Sequence, residues 1–132
     1  NMEYVLDYNE YRDVSAYDDF EELLVVADIL ITDYSGCIYD YSFSKKPAFL
    51  FQPDIKEMKD KRDFYINPYD MPYPSAQNMD ELIFNILDFD EKKYINELRT
   101  FMSRFGNFDD GRSSKRVCKH LLAIIGEGKN KL

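Results

Sequence analysis

The chain has 132 residues, of which 45% are hydrophobic, 16% aromatic and 32% charged, the composition of a folded globular unit and not of a disordered or fibrous chain. Its 17 basic and 25 acidic residues leave a net charge of −8, which argues against non-specific binding to nucleic acid or anionic lipid through the chain as a whole. No stretch reaches the roughly 18 to 20 apolar residues of a membrane span, and no charged-then-apolar leader opens the chain.

In chain order, Arg12 to Tyr17 reads as strand-like and ends at Asp18-Asp19, where Asp18 with Glu21 three residues on forms a capping-box signal. The pattern then predicts a helix over 20–27. Asp28-Ile-Leu-Ile-Thr32 is a β-branched apolar run without alternation, as expected of a parallel strand covered on both faces. It stops at Asp33-Tyr34-Ser35-Gly36, a turn that opens a helix through Asp40 and Phe43. After Lys45-Lys46-Pro47, Ala48 to Phe51 reads as a second buried strand. Pro53-Asp54 begins a charged segment with Lys56, Lys59, Lys61 and Arg62, and Phe64-Tyr65-Ile66 reads as a last short strand.

Pro72 and Pro74 argue against regular structure over 71–76. Asn78 with Glu81 then caps a helix whose Met79, Leu82, Ile83, Ile86 and Leu87 recur at helical spacing. A second helix starts at Glu91, carries Tyr94, Leu98, Phe101, Met102 and Phe105 on one face, and ends at Gly106. A polar loop over 107–114 leads to a closing helix with an apolar face of Val117, Leu121, Leu122, Ile124 and Ile125, ending near Gly126. Residues 1–132 are read as a single domain or a fragment of one, with 1–11 as an edge segment and 129–132 as a frayed tail. Alternating strands and helices imply α/β architecture with a parallel sheet and right-handed crossovers. Three or four strands followed by a wholly helical half resemble the later part of a larger Rossmann-like nucleotide-binding domain, its other strands upstream.

Charge is unevenly spread. Residues 1–44 hold eleven acids and one base, net −10, whereas residues 111–132 hold six bases and one acid, net +5, so an anion is best received near the C-terminal end. Cys37 and Cys118 are too far apart for a CxxC motif and too few for a disulfide framework, so both read as reduced, buried thiols of a cytoplasmic protein, and no metal site follows.

The strongest local feature is Thr32-Asp-Tyr-Ser-Gly36, where a buried strand gives way to a helix. The first N–H groups of a helix lack internal partners, so a phosphate can bind there, with Gly36 allowing close approach and Ser35 offering a hydroxyl. Ser35 as a simple helix cap is equally open. Asp33 beside a phosphate would be repulsive, so its expected task is to hold the loop by accepting backbone hydrogen bonds. Asp40, five residues past Ser35, can reach back toward a ligand at the strand ends and accept from ribose hydroxyls, or be an ordinary surface acid. Arg62 ahead of Phe64-Tyr65 and the run Gly111-Arg112-Ser113-Ser114 are further anion-pairing candidates; Ser113 or Ser114 is expected to cap the last helix. The single histidine, His120, reads as a packing or surface residue, and no general-base arrangement is visible.

Taken together, Asp18 to Glu22 with Leu23-Leu24, Ala27-Asp-Ile-Leu-Ile-Thr-Asp-Tyr-Ser35, Tyr39-Asp40, Lys46-Pro47, Phe51, Asp54, Arg62, Phe64-Tyr65, Pro72, Pro74 and Asp110-Gly111 with Ser114 resemble the C-terminal part of the CDP-glycerol glycerophosphotransferase family. These are the teichoic acid primases and polymerases of bacterial cell walls. The resemblance implies the C-terminal half of a GT-B type donor-binding domain in an enzyme of two Rossmann-like domains. Such enzymes transfer glycerol phosphate or ribitol phosphate from a CDP-alditol to a polyprenyl-linked acceptor and release CMP, without a cofactor. They would be cytoplasmic, peripheral on the inner face of the membrane.

Carried onto this chain, the resemblance implies that Ser35 and the Gly36 N–H contact the donor pyrophosphate, Asp40 the ribose and Arg62 the donor phosphates, with Gly111, Arg112, Ser113 and Ser114 completing the site. Departures from the family pattern are Ser35-Gly36 for two serines, Arg62-Asp63-Phe64-Tyr65 for Arg-Gly-Phe-Tyr, and Pro72-Tyr73-Pro74 for Pro-Gly-Pro. Family members carry essential histidines upstream of this stretch, so no catalytic residue is expected within the chain, which alone should be inactive. The acceptor would be bound by the N-terminal region, and an open sheet edge invites dimerisation.

Two other readings stand beside this one. One is a related nucleotide-sugar or capsule-polymer glycosyltransferase domain. The other is a non-catalytic receiver-like module, with Asp33 accepting a phosphoryl group and Asp18-Asp19 imitating its acidic metal pair; Phe51-Gln-Pro-Asp54 lacks the lysine such a module needs.

Overall fold

The computed structural model describes residues 12–61, 63–106 and 110–129. Helix α1, Phe20–Val26, starts where the Asp19 carboxylate accepts from the Glu22 N–H at 3.0 Å, one residue later than the capping signal at Asp18 suggests. The strand expected over 12–17 is absent. A turn stands there, closed by the Tyr17 N–H on the Val14 carbonyl, because Asp13 accepts from the Ser15 N–H and bends the chain.

Strand β1, Leu30–Thr32, leads into α2, Cys37–Tyr41, which tightens into a 3-10 turn over Ser42–Ser44. Lys45 leaves that turn with φ of +60°. Strand β2, Ala48–Phe51, pairs in parallel with β1. The charged segment that follows forms α3, Ile55–Lys61.

The third strand is not Phe64–Ile66 but β3, Ser75–Ala76, within the stretch where Pro72 and Pro74 argue against regular structure. Proline lacks an N–H and keeps its carbonyl: the Leu50 N–H donates to Pro74 O at 2.9 Å and the Gln52 N–H to Ala76 O at 2.8 Å. Among the described residues the sheet is therefore three-stranded and parallel, in the order β1-β2-β3. On the far side of β3, the Asn85 side-chain amide donates to Ser75 O at 3.0 Å. Helices α4, Met79–Leu87, and α5, Glu91–Arg104, follow as the sequence predicts, with Asn78 and Asp90 as N-caps and Gly106 at φ of +64° beyond α5.

Burial on both faces belongs to β2, not β1. Ala48 and Leu50 join Leu24, Ile38, Tyr41, Tyr73, Tyr94 and Leu98 on one side, and Phe49 meets Ala76 and Leu82 on the other. In β1, Ile31 remains 48% exposed. Helix α6, Ser113–Lys129, is the closing helix, begun inside the expected loop and carried past the expected end at Gly126, but its apolar residues Val117, Leu121, Leu122, Ile124 and Ile125 are all exposed. Cys118 on the same helix is an exposed free thiol and Cys37 a half-buried one, so neither is a core cysteine. His120 is exposed. Among the described residues, no helix is long and apolar enough to cross a membrane.

Candidate functional site

The carboxyl ends of β1, β2 and β3 lie together because all three strands run in one direction, and ligands of open parallel sheets bind outside such ends. From β1 the chain passes through Asp33-Tyr34-Ser35-Gly36 into α2, and from β2 through Gln52-Pro53-Asp54 into α3. The two exits are tied together: Tyr34 Oη donates to Asp54 Oδ1 at 2.9 Å, and Gln52 Nε2 donates to the Asp33 carbonyl at 3.2 Å. The Tyr34 and Phe64 rings lie 5.6 Å apart. Asp33, Tyr34, Ser35, Tyr39, Phe64 and Met71 border a crevice of about 100 Å³ here. A larger hollow of about 520 Å³ lies between Met71–Pro74 and the α4–α5 junction and contains none of the predicted site residues.

Within the loop, Ser35 is exposed and its Oγ accepts from the Cys37 N–H at 3.4 Å, a long bond that leaves the hydroxyl proton available. Gly36 is the N-cap residue of α2, with φ of −64°, and a Cβ added there would meet nothing within 4 Å. Among the described residues, its glycine is therefore demanded neither by backbone conformation nor by packing. Asp40 is exposed on α2. With only five residues in α2, the helix dipole is weak, so the loop's hydroxyl and backbone N–H groups are its main resources for an anion.

Of the predicted site residues, Asp33, Ser35 and Gly36 share this loop and Asp40 follows on the helix it opens. Arg62 lies outside the described residues. The Gly111–Ser114 group forms a cluster of local bonds. The Asp110 carboxylate accepts from the Arg112 N–H at 3.0 Å and from Arg116 Nη1 at 2.6 Å, while Arg116 Nη2 donates to Ser113 Oγ at 2.9 Å. The Arg116 guanidinium, with help from the Arg112 N–H, holds the Asp110 carboxyl below the usual carboxylate range. Ser113 and Ser114 are the first residues of α6, not residues preceding it, and the Arg116 guanidinium occupies the Ser113 hydroxyl. Gly111, at φ of +71°, sits where a side chain would strain the backbone.

Three residues at the strand ends were not foreseen. Gln52 and Ser75 bond each other and fasten the loop, and Tyr34 reaches Asp54. A polar residue directly after the apolar run Ala48–Phe51 was the available signal for Gln52. One residue of the family pattern, Lys46, and one departure from it, Tyr73, have structural tasks. Lys46 Nζ donates to Val25 O at 2.9 Å and Ala27 O at 2.8 Å, satisfying carbonyls at the end of α1. Tyr73, in place of the family's glycine, is 3% exposed in the core, where burial pushes its hydroxyl up to about 12.

The model of the family described as CDP-Glycerol:Poly(glycerophosphate) glycerophosphotransferase matches residues 5–123. The chain is 32% identical over 112 residues to the teichoic acid glycerol-phosphate transferase of Staphylococcus aureus (strain NCTC 8325 / PS 47), covering 82% of this chain and 29% of that protein. It is 34% identical over 113 residues to the teichoic acid poly(ribitol-phosphate) polymerase of Bacillus spizizenii (strain ATCC 23059 / NRRL B-14472 / W23), covering 85% of this chain and 18% of that protein. Among solved structures it is similar to the wall teichoic acid polymerase TagF in a His-to-Ala variant, with a TM-score of 0.73, 32% identity, and coverage of 92% of this chain and 31% of that one. A His-to-Asn variant of TagF soaked with CDPG gives a TM-score of 0.70 at 33% identity, over 88% of this chain and 29% of that one. The chain thus spans less than a third of these relatives, and its fold corresponds to part of a GT-B type enzyme. On the match across 5–123, the chain belongs to the CDP-glycerol:poly(glycerophosphate) glycerophosphotransferase family.

Proposed function

We propose that this chain is the donor-binding portion of an enzyme that transfers glycerol phosphate or ribitol phosphate from a CDP-alditol to a membrane-linked acceptor in teichoic acid or related cell-wall polymer synthesis. The observation that carries this reading is the Asp33–Gly36 loop at the carboxyl end of β1, in a chain whose TagF relative was soaked with CDPG. In this reading Ser35 Oγ and the Gly36 N–H receive the donor pyrophosphate, and Asp40 accepts from the ribose hydroxyls. Arg62 faces the donor phosphates, and Gly111 to Ser114 complete the nucleotide end. Asp33 shapes the loop.

In the reaction an acceptor hydroxyl oxygen forms a bond to the alditol-bearing phosphorus. The bond from that phosphorus to the bridging oxygen breaks, and CMP leaves with the electron pair. The acceptor proton goes to a base outside this chain. The chain's share is positioning and charge stabilisation, which require fixed donors and not a proton-transfer group. The whole enzyme would work at the inner face of the membrane, attached peripherally, with the acceptor held by its remaining region.

The test is titration of the chain with CDP-glycerol, CMP and UDP-glucose, followed by amide NMR. Selective shifts at 33–40 and 111–114 with the cytidine ligands, weakened in Ser35→Ala and Arg62→Ala, support the reading. Equal shifts with UDP-glucose would favour a nucleotide-sugar transferase. Silence toward all three at millimolar concentration, from a folded chain, would remove the donor site from this fragment.

A further inference from the structure

Gln52 is the first residue beyond β2 and is only 2% exposed, an unusual place for an amide side chain at the rim of a binding crevice. Its polar groups are matched in four directions. Its N–H donates to Ala76 O at 2.8 Å, and its carbonyl accepts from the Ile55 N–H at 3.3 Å. Its side chain spans the sheet: Nε2 donates to Asp33 O at 3.2 Å, and Oε1 accepts from Ser75 Oγ at 3.2 Å. One residue thus joins the exits of β1, β2 and β3 and the start of α3.

We propose that Gln52 is a positioning residue for the Asp33–Gly36 loop, fixing the exit of β1 so that Ser35 and Gly36 meet a donor phosphate in one conformation. The inference rests on the donor-site reading of that loop. An exposed four-residue loop has many conformations of similar energy, and a buried amide that holds its first carbonyl removes most of them before ligand arrives. Preorganisation of this kind raises affinity without touching the ligand. The amide suits the task because it must donate on one side and accept on the other. An apolar side chain does neither, and a carboxylate would place an oxygen against the Asp33 carbonyl.

The test compares the chain with Gln52→Leu, and with Ser42→Ala as a control that removes a buried hydroxyl bonded to Ile38 O and Tyr73 Oη and to neither Gln52 nor Asp33. Two readouts are taken: amide hydrogen exchange at 33–36, and the CDP-glycerol dissociation constant. Gln52→Leu is expected to speed exchange at 33–36 selectively and to weaken donor binding about tenfold, the scale of one lost buried hydrogen bond. Ser42→Ala should lower overall stability while changing neither readout. Unchanged exchange at 33–36 in folded Gln52→Leu, or unchanged donor affinity, overturns the proposal, as does an equal loss of affinity in Ser42→Ala. If the parent chain binds no CDP-glycerol but exchange at 33–36 still rises in Gln52→Leu, the donor reading falls and the clamp on the loop stands. Should Gln52→Leu fail to fold, Gln52→Met carries the same readouts, since it keeps the length of the side chain and loses the bonds to Asp33 and Ser75 without burying a charge.

Discussion

Tyr73 Oη and Ser42 Oγ lie 2.6 Å apart in the core, joining the segment before β3 to the end of α2. The Ser42 hydroxyl donates its proton to Ile38 O at 2.6 Å, so Tyr73 is the donor to Ser42. Tyr73→Phe removes one hydrogen bond and leaves Ser42 still donating, a loss of about 1 kcal/mol. Tyr73→Gly, which restores the family's Pro-Gly-Pro, empties a site packed against the rings of Tyr94 and Phe101 and should cost about 3–5 kcal/mol. Urea unfolding of the two variants checks both figures; equal stability of Tyr73→Gly and the parent would contradict the core role.

Alkaline pH acts on the same cluster. Burial raises Tyr73 to about 12, and burial with the neighbouring Tyr73 and Tyr41 raises Tyr94 as well. Both hydroxyls therefore keep their protons in the folded chain after the unfolded chain has lost them. Their stabilisation is whole below pH 10, the ordinary tyrosine value, and fades as pH climbs through the folded values, at about 1.4 kcal/mol per pH unit for each group. Unfolding curves collected from pH 9 to 12 should show this decline, and Tyr73→Phe should flatten it.

Gly36 is open to a larger residue. Its φ of −64° suits any amino acid, and an added Cβ meets nothing within 4 Å. Gly36→Ser, which restores the family's pair of serines, should fold with stability within about 0.5 kcal/mol of the parent. Thermal unfolding checks it, and a markedly lower midpoint would show a constraint on Gly36 that this geometry lacks.

The α4 cap gives a local test. Asn78 Oδ1 accepts from the Glu81 N–H at 2.9 Å, while the Glu81 carboxylate accepts from Asn78 Nδ2 and from the Gln77 N–H, each at 2.8 Å. Asn78→Ala should cost about 1 kcal/mol. The loss should appear first as faster amide exchange over 79–82, ahead of any change in β1.

That cap was legible in the sequence because Asn78 and Glu81 satisfy each other within one turn. The same holds for α5, whose apolar spacing and Gly106 leave little choice. Ala48–Phe51 was legible as a strand because its buried residues are consecutive. What was lost depended on partners distant in sequence. Ser75–Ala76 is a strand only because β2 supplies donors to its carbonyls, and Phe64–Ile66, with apolar residues of its own, finds no such ladder. At the site, the Thr32–Gly36 turn was plain from its local residues. Gln52 is marked locally only as a polar residue after an apolar run, and its contact with Asp33, nineteen positions earlier, cannot be read from that.

Asn85 gives the sheet a direction. By donating to Ser75 O, it occupies the outward carbonyl of β3, a strand only two residues long, and α4 stands beside it. A stray extended peptide finds no ladder to copy on that side. Among the described residues β1 pairs with β2 alone, so in a longer polypeptide this sheet can be lengthened from one flank and not from both. The β3 flank thus has its outward carbonyl occupied from within the domain, and among the described residues the β1 flank, beside the Asp33–Gly36 loop, is the one still open to growth.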